Sequence, residues 1–126
     1  MMTRQAVATD RTAPAIGPFS MAVIAHGMFY SSGQVALDPK TGRLVAGDVA
    51  YQTRQVLRNL ACVLEAAGRT LADVVKANVY LADMNDFVAM NAEYESHFEA
   101  PFPARTTIEA ARLPLGALVE IEIIAQ

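Results

Sequence analysis

The sequence has a single cysteine, few charged residues and no long hydrophobic run. Because Cys62 has no second cysteine to pair with, an intramolecular disulfide bond is excluded. Cys62 lies in an apolar stretch with Leu60, Val63 and Leu64, so we expect a small core residue rather than a nucleophile. No apolar run approaches the roughly 18 residues needed to cross a membrane, and residues 1–10 lack the apolar centre of a signal peptide. We therefore expect a cytoplasmic protein without a membrane partner.

Basic residues are also scarce. Ten lysines and arginines against 13 acidic residues give a net charge of −3. Proteins that hold nucleic-acid phosphates by charge usually carry the opposite balance. The two histidines, His26 and His97, fall in unrelated segments with no cysteine or aspartate at ligand spacing, so we expect both to be solvated rather than catalytic. The sequence thus argues against nucleic-acid binding and against a metal site.

The chain is long enough for one domain and one core, so residues 1–126 are expected to form a single domain. Hydrophobic residues make up 53% of the sequence and charged residues 18%, which excludes a disordered chain. A domain of this size cannot bury all of those apolar side chains in its own core. The excess indicates an interface between subunits.

Hydrophobic periodicity and turn residues predict an α+β domain with the element order β-β-β-α-β-α-β-β. Asp48 is suited to cap the first helix, and Gly68 to end it. His26 and Gly27 form the turn of a hairpin. The predicted strands are 3–8, Phe19–Ala25, Met28–Val35, Val75–Leu81, Arg105–Arg112 and Leu118–Ala125, and the predicted helices run from Asp48 to Ala67 and from Asn85 to Phe98.

This order of elements predicts a sheet with both helices on one face, because connections between parallel strands are right-handed. The other face is then left uncovered. This face carries apolar groups whichever side of the strand Met28–Val35 points outward. One side of the strand holds Phe29 and Val35, and the other holds Met28 and Tyr30. Such a face needs a partner, and self-association is the simplest one.

Two charged residues near the C-terminus are candidates for chemistry. Arg105 follows two prolines at the start of a predicted strand, and its planar guanidinium suits bidentate capture of a carboxylate. Glu120 lies between Val119 and Ile121, where apolar surroundings raise a carboxyl pKa and suit it to acid–base work through water. The residues alone favour a structural ion pair or two solvated side chains, because charged residues on strand faces are usually solvated.

Several segments together resemble the RidA/YjgF/L-PSP family, in order and over nearly the whole chain. The match is strongest where the Pro-Ala-Arg sequence of residues 103–105 is followed by Glu120-Ile-Glu122. The matching segments are Ala15–Ser20, Ser31–Gln34, Glu65–Gly68, Asn85–Phe87, Asn91 with Tyr94, Phe102–Arg105, Ala111–Pro114 and Glu120–Glu122.

The resemblance implies a chorismate-mutase-like α+β fold in a homotrimer. The sheets would form a central barrel with the helices outside, and active-site clefts would lie between subunits. Members of the family hydrolyse reactive enamines and imines, such as 2-aminoacrylate and 2-imino acids, to 2-keto acids and ammonia. They require no metal or other cofactor, so the expected partners are a small 2-imino or 2-keto acid and further copies of the chain.

By similarity, Arg105 would bind the substrate carboxylate and Glu120 would position or activate the attacking water. The other expected substrate-binding positions are Phe19, Ser32, Gly33, Asn91 and Thr107. Well-known members carry Tyr at the position of Phe19 and often Cys at the position of Thr107, while Met21 stands where Gln is common. These departures affect the expected substrate range and turnover but leave the carboxylate-binding arginine in place.

Two other functions remain open from the sequence. A non-catalytic module of the same fold would bind a small carboxylate and report it to a partner, and Phe19 and Thr107 favour that alternative. Some relatives are labelled ribonucleases or translation inhibitors. The acidic composition, the lack of paired histidines and the lack of a basic patch with aromatic residues argue against an RNA-cleaving enzyme.

Overall fold

The computed structural model describes residues 3–126, in which six β-strands and two α-helices form one α+β domain. Three short 3₁₀ helices lie in the connections, at Leu71–Asp73, Met84–Asp86 and Pro114–Gly116. The strands and helices are β1 Gln5–Val7, β2 Ala22–Ala25, β3 Met28–Ser31, α1 Val49–Ala66, β4 Val74–Leu81, α2 Phe87–Glu95, β5 Ala104–Glu109 and β6 Val119–Ala125. The predicted order of elements is confirmed.

The strands form a single sheet in the order β1-β2-β3-β6-β4-β5. All neighbours are antiparallel except β4 and β5, which are parallel and are connected through α2. A parallel pair requires such a crossover, because a tight turn can only reverse the chain. β5 stands at the end of the strand order and is therefore an edge strand, with one side of its backbone unpaired within residues 3–126.

Both helices pack on one face of the sheet. Asp48 caps α1 by accepting a hydrogen bond from the Tyr51 amide at 2.9 Å. Apolar residues of α1 such as Leu60 and Leu64 are fully buried, as are Val79 of β4 and Ile121 of β6. This apolar layer between helices and sheet is the core, and its burial is the main stabilising contribution to the fold.

The opposite face of the sheet carries no helix within the described residues. Tyr30 and Ile108 are 41% and 48% exposed there, whereas Phe29 points into the core. Glu122 on this open face accepts hydrogen bonds from Asn78 Nδ2 at 3.3 Å and from the Tyr80 hydroxyl at 3.1 Å. The open face is thus partly apolar and partly polar.

Several predicted boundaries are wrong by a few residues. β2 starts at Ala22 rather than Phe19, α2 ends at Glu95 rather than Phe98, and β5 ends at Glu109 rather than Arg112. The Ser96 hydroxyl donates a hydrogen bond to the Glu93 carbonyl at 2.6 Å, which competes with helix continuation. Cys62 is also less buried than predicted, because its side chain is only partly covered.

The prediction for β4 is corrected at its start. The alternation of Val75, Ala77, Val79 and Leu81 with polar residues predicts that Val75 faces the core, but Val74 is buried instead and Val75 is 38% exposed. A register shift against β6 between Val74 and Lys76 reverses the side-chain alternation at this point. From Lys76 onward the alternation is regular, so Ala77 and Val79 face the core.

The predicted strand Met28–Val35 is interrupted at Ser32 and Gly33. β3 ends at Ser31, and Gln34 pairs with Ile121 of β6 through two backbone hydrogen bonds of 2.9 and 3.0 Å. Tyr30 of β3 already pairs with Ile124 of β6, so the pairing with β6 resumes at Gln34 with its register shifted by one residue. Gly33 lies at this irregularity, against the side chain of Glu120. No helix in residues 3–126 is long and apolar enough to span a bilayer.

Candidate active site

The guanidinium of Arg105 is held from several sides by α2. Arg105 Nη2 donates a hydrogen bond of 2.6 Å to Asn91 Oδ1. Its Cζ lies 4.8 Å from the ring centroid of Tyr94 and 5.6 Å from that of Phe87, distances typical of cation–π contacts. An arginine carries five N–H donors. The bond to Asn91 is the one hydrogen bond found for this guanidinium within residues 3–126, so other donors remain available to a ligand.

Arg105 and Asn91 line a shallow cavity of about 490 Å³ together with Tyr94, Glu95, Phe102 and Pro103. Thr107 follows two residues after Arg105 on β5 and therefore points to the same side of the sheet. Its hydroxyl oxygen is buried and has no hydrogen-bond partner among the described residues. The arginine side of the candidate site thus contains a fixed cation and an unsatisfied hydroxyl.

Glu120 lies in β6, with its carboxyl group against Gly33. A Cβ atom at position 33 would overlap the Glu120 carboxylate and lie 2.9 Å from Glu120 Cδ, so only glycine fits here without a shift. Burial raises the pKa of Glu120, and the neighbouring Glu122 carboxylate raises it further. A carboxyl group in this condition is suited to taking up and returning a proton.

A second cavity, of about 580 Å³, contains Glu120 and most of the other predicted residues, namely Phe19, Ser32 and Gly33. Among the described residues that line it, Glu120 is the single titratable side chain. The Ser32 hydroxyl donates a 2.6 Å hydrogen bond to the Ser20 carbonyl, so its proton is already engaged within the chain. Phe19 is 52% exposed at the cavity rim.

Arg105 and Glu120 lie on opposite faces of the sheet. Arg105 is paired with Ala77 of β4, and Glu120 is paired with Tyr80 of the same strand. Ala77 and Tyr80 are three residues apart, and side chains alternate between faces along a strand. Residues paired directly across neighbouring strands share a face. One chain therefore holds two separate half-sites, with Arg105, Asn91 and Thr107 in one and Glu120, Gly33, Ser32 and Phe19 in the other.

Sequence reasoning missed the aromatic contacts that fix Arg105. Phe87, Asn91 and Tyr94 recur at helical spacing on α2, and that spacing was the available signal. The spacing of Phe87 and Tyr94 predicts that both lie on one face of the helix, but it does not predict that this face packs against a charged residue of β5. The cavity beside Glu120 was also missed, because it depends on residues from four distant segments.

A larger cavity of about 760 Å³ lies between the end of α1 and residues 97–103, and it contains none of the candidate residues. The prediction that His97 is solvated is wrong. His97 Nε2 lies 2.8 Å from Glu93 Oε2, and its side chain is 17% exposed. The hydrogen bond from Arg54, more than that from His97, lowers the pKa of Glu93. These three residues tie α1 to α2.

Comparison with known proteins agrees with this fold and with the resemblance found in the sequence. The family model described as Endoribonuclease L-PSP matches residues 10–126. A RutC family protein of Pyrococcus horikoshii is 48% identical over 122 residues, covering 97% of each chain. The 2-iminobutanoate/2-iminopropanoate deaminase of Mus musculus is 47% identical over 122 residues, covering 97% of this chain and 90% of the relative.

A solved structure of a Yersinia pestis protein of the Rid family superposes with a TM-score of 0.94 at 43% identity, covering 98% of both chains. The six-stranded sheet with two helices is therefore the fold of Rid proteins. The chain belongs to the RidA/YjgF/L-PSP family.

Proposed function

We propose that the chain is an imine deaminase, which hydrolyses 2-imino acids and their enamine tautomers to 2-keto acids and ammonia. The observation that carries the proposal is the fixed Arg105 guanidinium, with free N–H donors in an open cavity. Relatives named as 2-iminobutanoate/2-iminopropanoate deaminases, at 43–47% identity, support the same reaction.

In this proposal Arg105 binds the substrate carboxylate. Asn91 and the rings of Tyr94 and Phe87 hold the guanidinium plane in one orientation. A guanidinium fixed in this way donates two parallel N–H bonds to a carboxylate and loses little side-chain entropy on binding. The imine carbon, adjacent to the carboxylate, is then placed at a defined distance from the protein.

Glu120 acts on the water that attacks the imine carbon. The carboxylate takes a proton from the water as the water oxygen bonds to C2, the electron pair of the C=N bond moves to nitrogen, and Glu120 passes that proton to the nitrogen. Glu120 then takes the proton of the resulting hydroxyl group as the carbonyl forms and passes it to the same nitrogen, which leaves as ammonia when the C–N bond breaks. A raised pKa suits both steps, because the group must gain and lose a proton in each turnover.

The active site is proposed to form between subunits of a homotrimer. Arg105 and Glu120 face opposite sides of the sheet, so one copy of the chain cannot present both to one small substrate. Arg105 lies on the edge strand β5, where a neighbouring copy can approach. The open, partly apolar sheet face supplies a surface for association, and closed symmetry brings the Glu120 half-site of one subunit to the Arg105 half-site of the next.

Phe19 and Thr107 leave this reaction in place, because neither the carboxylate-binding group nor the proton-transfer group depends on them. Phe19 contributes an apolar ring where a tyrosine would add a hydroxyl. The buried Thr107 hydroxyl, which has no partner among the described residues, is available to a substrate oxygen or nitrogen in the assembled cleft. No cofactor has a role in the proposed steps.

The test is hydrolysis of 2-imino acids generated in situ by an amino-acid oxidase, read as loss of the semicarbazide-trapped adduct. Wild type is compared with Arg105→Ala, and Arg58→Ala, which removes an exposed arginine of α1, is the matched control. Wild type and Arg58→Ala should reduce trapping, and Arg105→Ala should not. Retained activity in Arg105→Ala contradicts the proposal. Tight keto-acid binding by wild type without imine turnover would identify a non-catalytic carboxylate-binding module instead.

A further inference from the structure

The cavity beside Glu120 has an apolar lining that the proposed deaminase reaction does not by itself require. Ile16, Phe19 and Leu115 stand around it with 85%, 52% and 69% of their surface exposed. Met21 forms a buried part of the wall. Large apolar side chains exposed together around a concave surface mark a binding site more often than isolated ones do.

The Ser32 hydroxyl and the Gln34 backbone, which lie next to this cavity, are already hydrogen-bonded within the chain. The Ser32 hydroxyl is bonded to the Ser20 carbonyl, and the Gln34 backbone is paired with Ile121 on both its donor and its acceptor side. No lysine, arginine or histidine is among the described lining residues. A ligand group that enters the cavity therefore meets mainly apolar surface, with Glu120 as the single carboxyl group and Gln34 as the single side-chain amide among the described lining residues.

Leu115 is the most unusual member of the lining. Its backbone has φ +60° and ψ +16°, the left-handed region that favours glycine or asparagine, and Gly116 follows at φ +71°. A leucine in this conformation is strained, and its side chain gains little from burial because it is mostly exposed. Strain of this kind concentrates at sites that bind or recognise something.

We propose that this cavity receives the side chain of the substrate, and that the preferred substrates are 2-imino acids with large apolar side chains. The inference rests on the proposed deaminase function and on the position of Glu120 in the same cavity. The apolar lining favours branched aliphatic, thioether and aromatic side chains by excluding water from them. Acidic side chains are disfavoured, because no cation among the described residues of the same subunit lines the cavity, the Arg105 guanidinium from the neighbouring subunit is taken by the substrate's own carboxylate, and Glu120 would repel a second carboxylate.

The first measurement is kcat/KM of wild type for the imine of leucine against the imine of alanine. The leucine-derived imine should be preferred by about tenfold or more, the range expected when a hydrophobic pocket accommodates additional carbon atoms. A preference for the alanine-derived imine overturns the inference and leaves the deaminase function standing.

The second measurement uses Leu115→Asn, which removes the apolar side chain and tolerates the left-handed backbone, so that folding is preserved. It should lower kcat/KM for the leucine-derived imine about fivefold or more and leave the alanine-derived imine nearly unchanged. Val88→Asn, at a 78% exposed position on α2 outside this cavity, should change neither. Equal losses for both imines, or a loss of assembly in size-exclusion chromatography with light scattering, would identify Leu115 as a subunit-contact residue and overturn the inference.

If wild type hydrolyses no imine, the deaminase function fails, and the cavity is tested by binding alone. Titration calorimetry then compares the keto acid of leucine with pyruvate. Tighter binding of the leucine keto acid, reduced by Leu115→Asn, supports an apolar side-chain pocket in a non-catalytic module. Equal or weaker binding of the leucine keto acid overturns it.

Discussion

Arg105 and Glu120 project from opposite faces of one sheet, although each has the surroundings of a functional group. Arg105 is fixed by Asn91 and two aromatic rings, and Glu120 lies against Gly33 in an apolar cavity. A structural ion pair between the two within one chain is excluded by this arrangement, since the sheet separates them. The alternative that remains for joint action is a site completed by a second copy of the chain.

Asn91 is expected to act through Arg105, as a positioning residue. Asn91→Ala removes the acceptor at 2.6 Å from Arg105 Nη2 and leaves the guanidinium less ordered. A hydrogen bond to a charged group contributes about 1.5–3 kcal/mol, so kcat/KM should fall about tenfold or more, mainly through KM. Asn91→Asp should bind substrate more weakly still, because its carboxylate competes with that of the substrate.

The control is Asn85→Ala at an exposed position, which should leave both constants unchanged. A fall in kcat for Asn91→Ala with KM unchanged would show that Asn91 does not serve substrate capture.

Gly33→Ala should reduce kcat while the fold is retained. The added methyl group overlaps the Glu120 carboxylate and forces it away from its observed position. The matched control is Gly42→Ala, which meets no atom within 4 Å but strains the backbone at φ +71°. We expect Gly42→Ala to lower the melting temperature slightly and leave kcat unchanged. If Gly33→Ala has wild-type kcat, the position of the Glu120 carboxylate is unimportant for the reaction.

The acid side of the pH–rate profile should report Glu120. Its pKa is raised, first by burial and then by Glu122, so activity should decline as the pH falls through a value above the ordinary glutamate pKa of about 4.3. Glu122→Gln removes the neighbouring charge and should move the decline in activity to lower pH. The move should be partial, because burial is the larger cause of the raised pKa. Glu109→Gln, an exposed carboxylate of β5, should not move the decline. If the acid side of the pH–rate profile is unchanged in Glu122→Gln, the decline in activity is due to a group other than Glu120.

Ionised Glu120 is also expected to lower the free energy of unfolding at neutral pH. A carboxyl group whose pKa is higher in the folded than in the unfolded state binds its proton more tightly when folded. The penalty for ionised Glu120 is therefore absent below the unfolded pKa and fully present above the folded one. Glu120→Gln should raise the melting temperature at neutral pH and have little effect in acid, while activity is lost. A lower melting temperature at neutral pH would contradict the assigned cause of the pKa shift.

The sequence predicted the order of elements because its local signals are strong. Asp48 caps α1 as expected, and the buried positions of that helix recur at helical spacing. The same local reasoning failed at Val75, since a bulge reverses the alternation and no residue in the segment signals it. It also failed at Ser32 and Gly33, where the register of the pairing with β6 shifts by one residue, because β6 is distant in the sequence and no local pattern encodes that register.

The candidate residues were found by chemistry and by family resemblance, but their arrangement was not. Whether Arg105 and Glu120 share a face depends on the register of β4 with both β5 and β6, which no local pattern encodes. The strained backbone of Leu115 was also beyond prediction, because a leucine gives no sequence signal for a positive φ. Long-range pairing, rather than local preference, determines how the half-sites are built.

Mixing of subunits tests the central claim most directly. Arg105→Ala and Glu120→Gln are each expected to be inactive alone. When they are unfolded together and refolded in equal amounts, about one quarter of the clefts between subunits should receive Arg105 from one variant and Glu120 from the other. Activity should then return to about that fraction of wild type, while each variant refolded alone stays inactive. If the mixed assemblies form and remain inactive, Arg105 and Glu120 do not act together across a subunit boundary, and the proposed site is wrong.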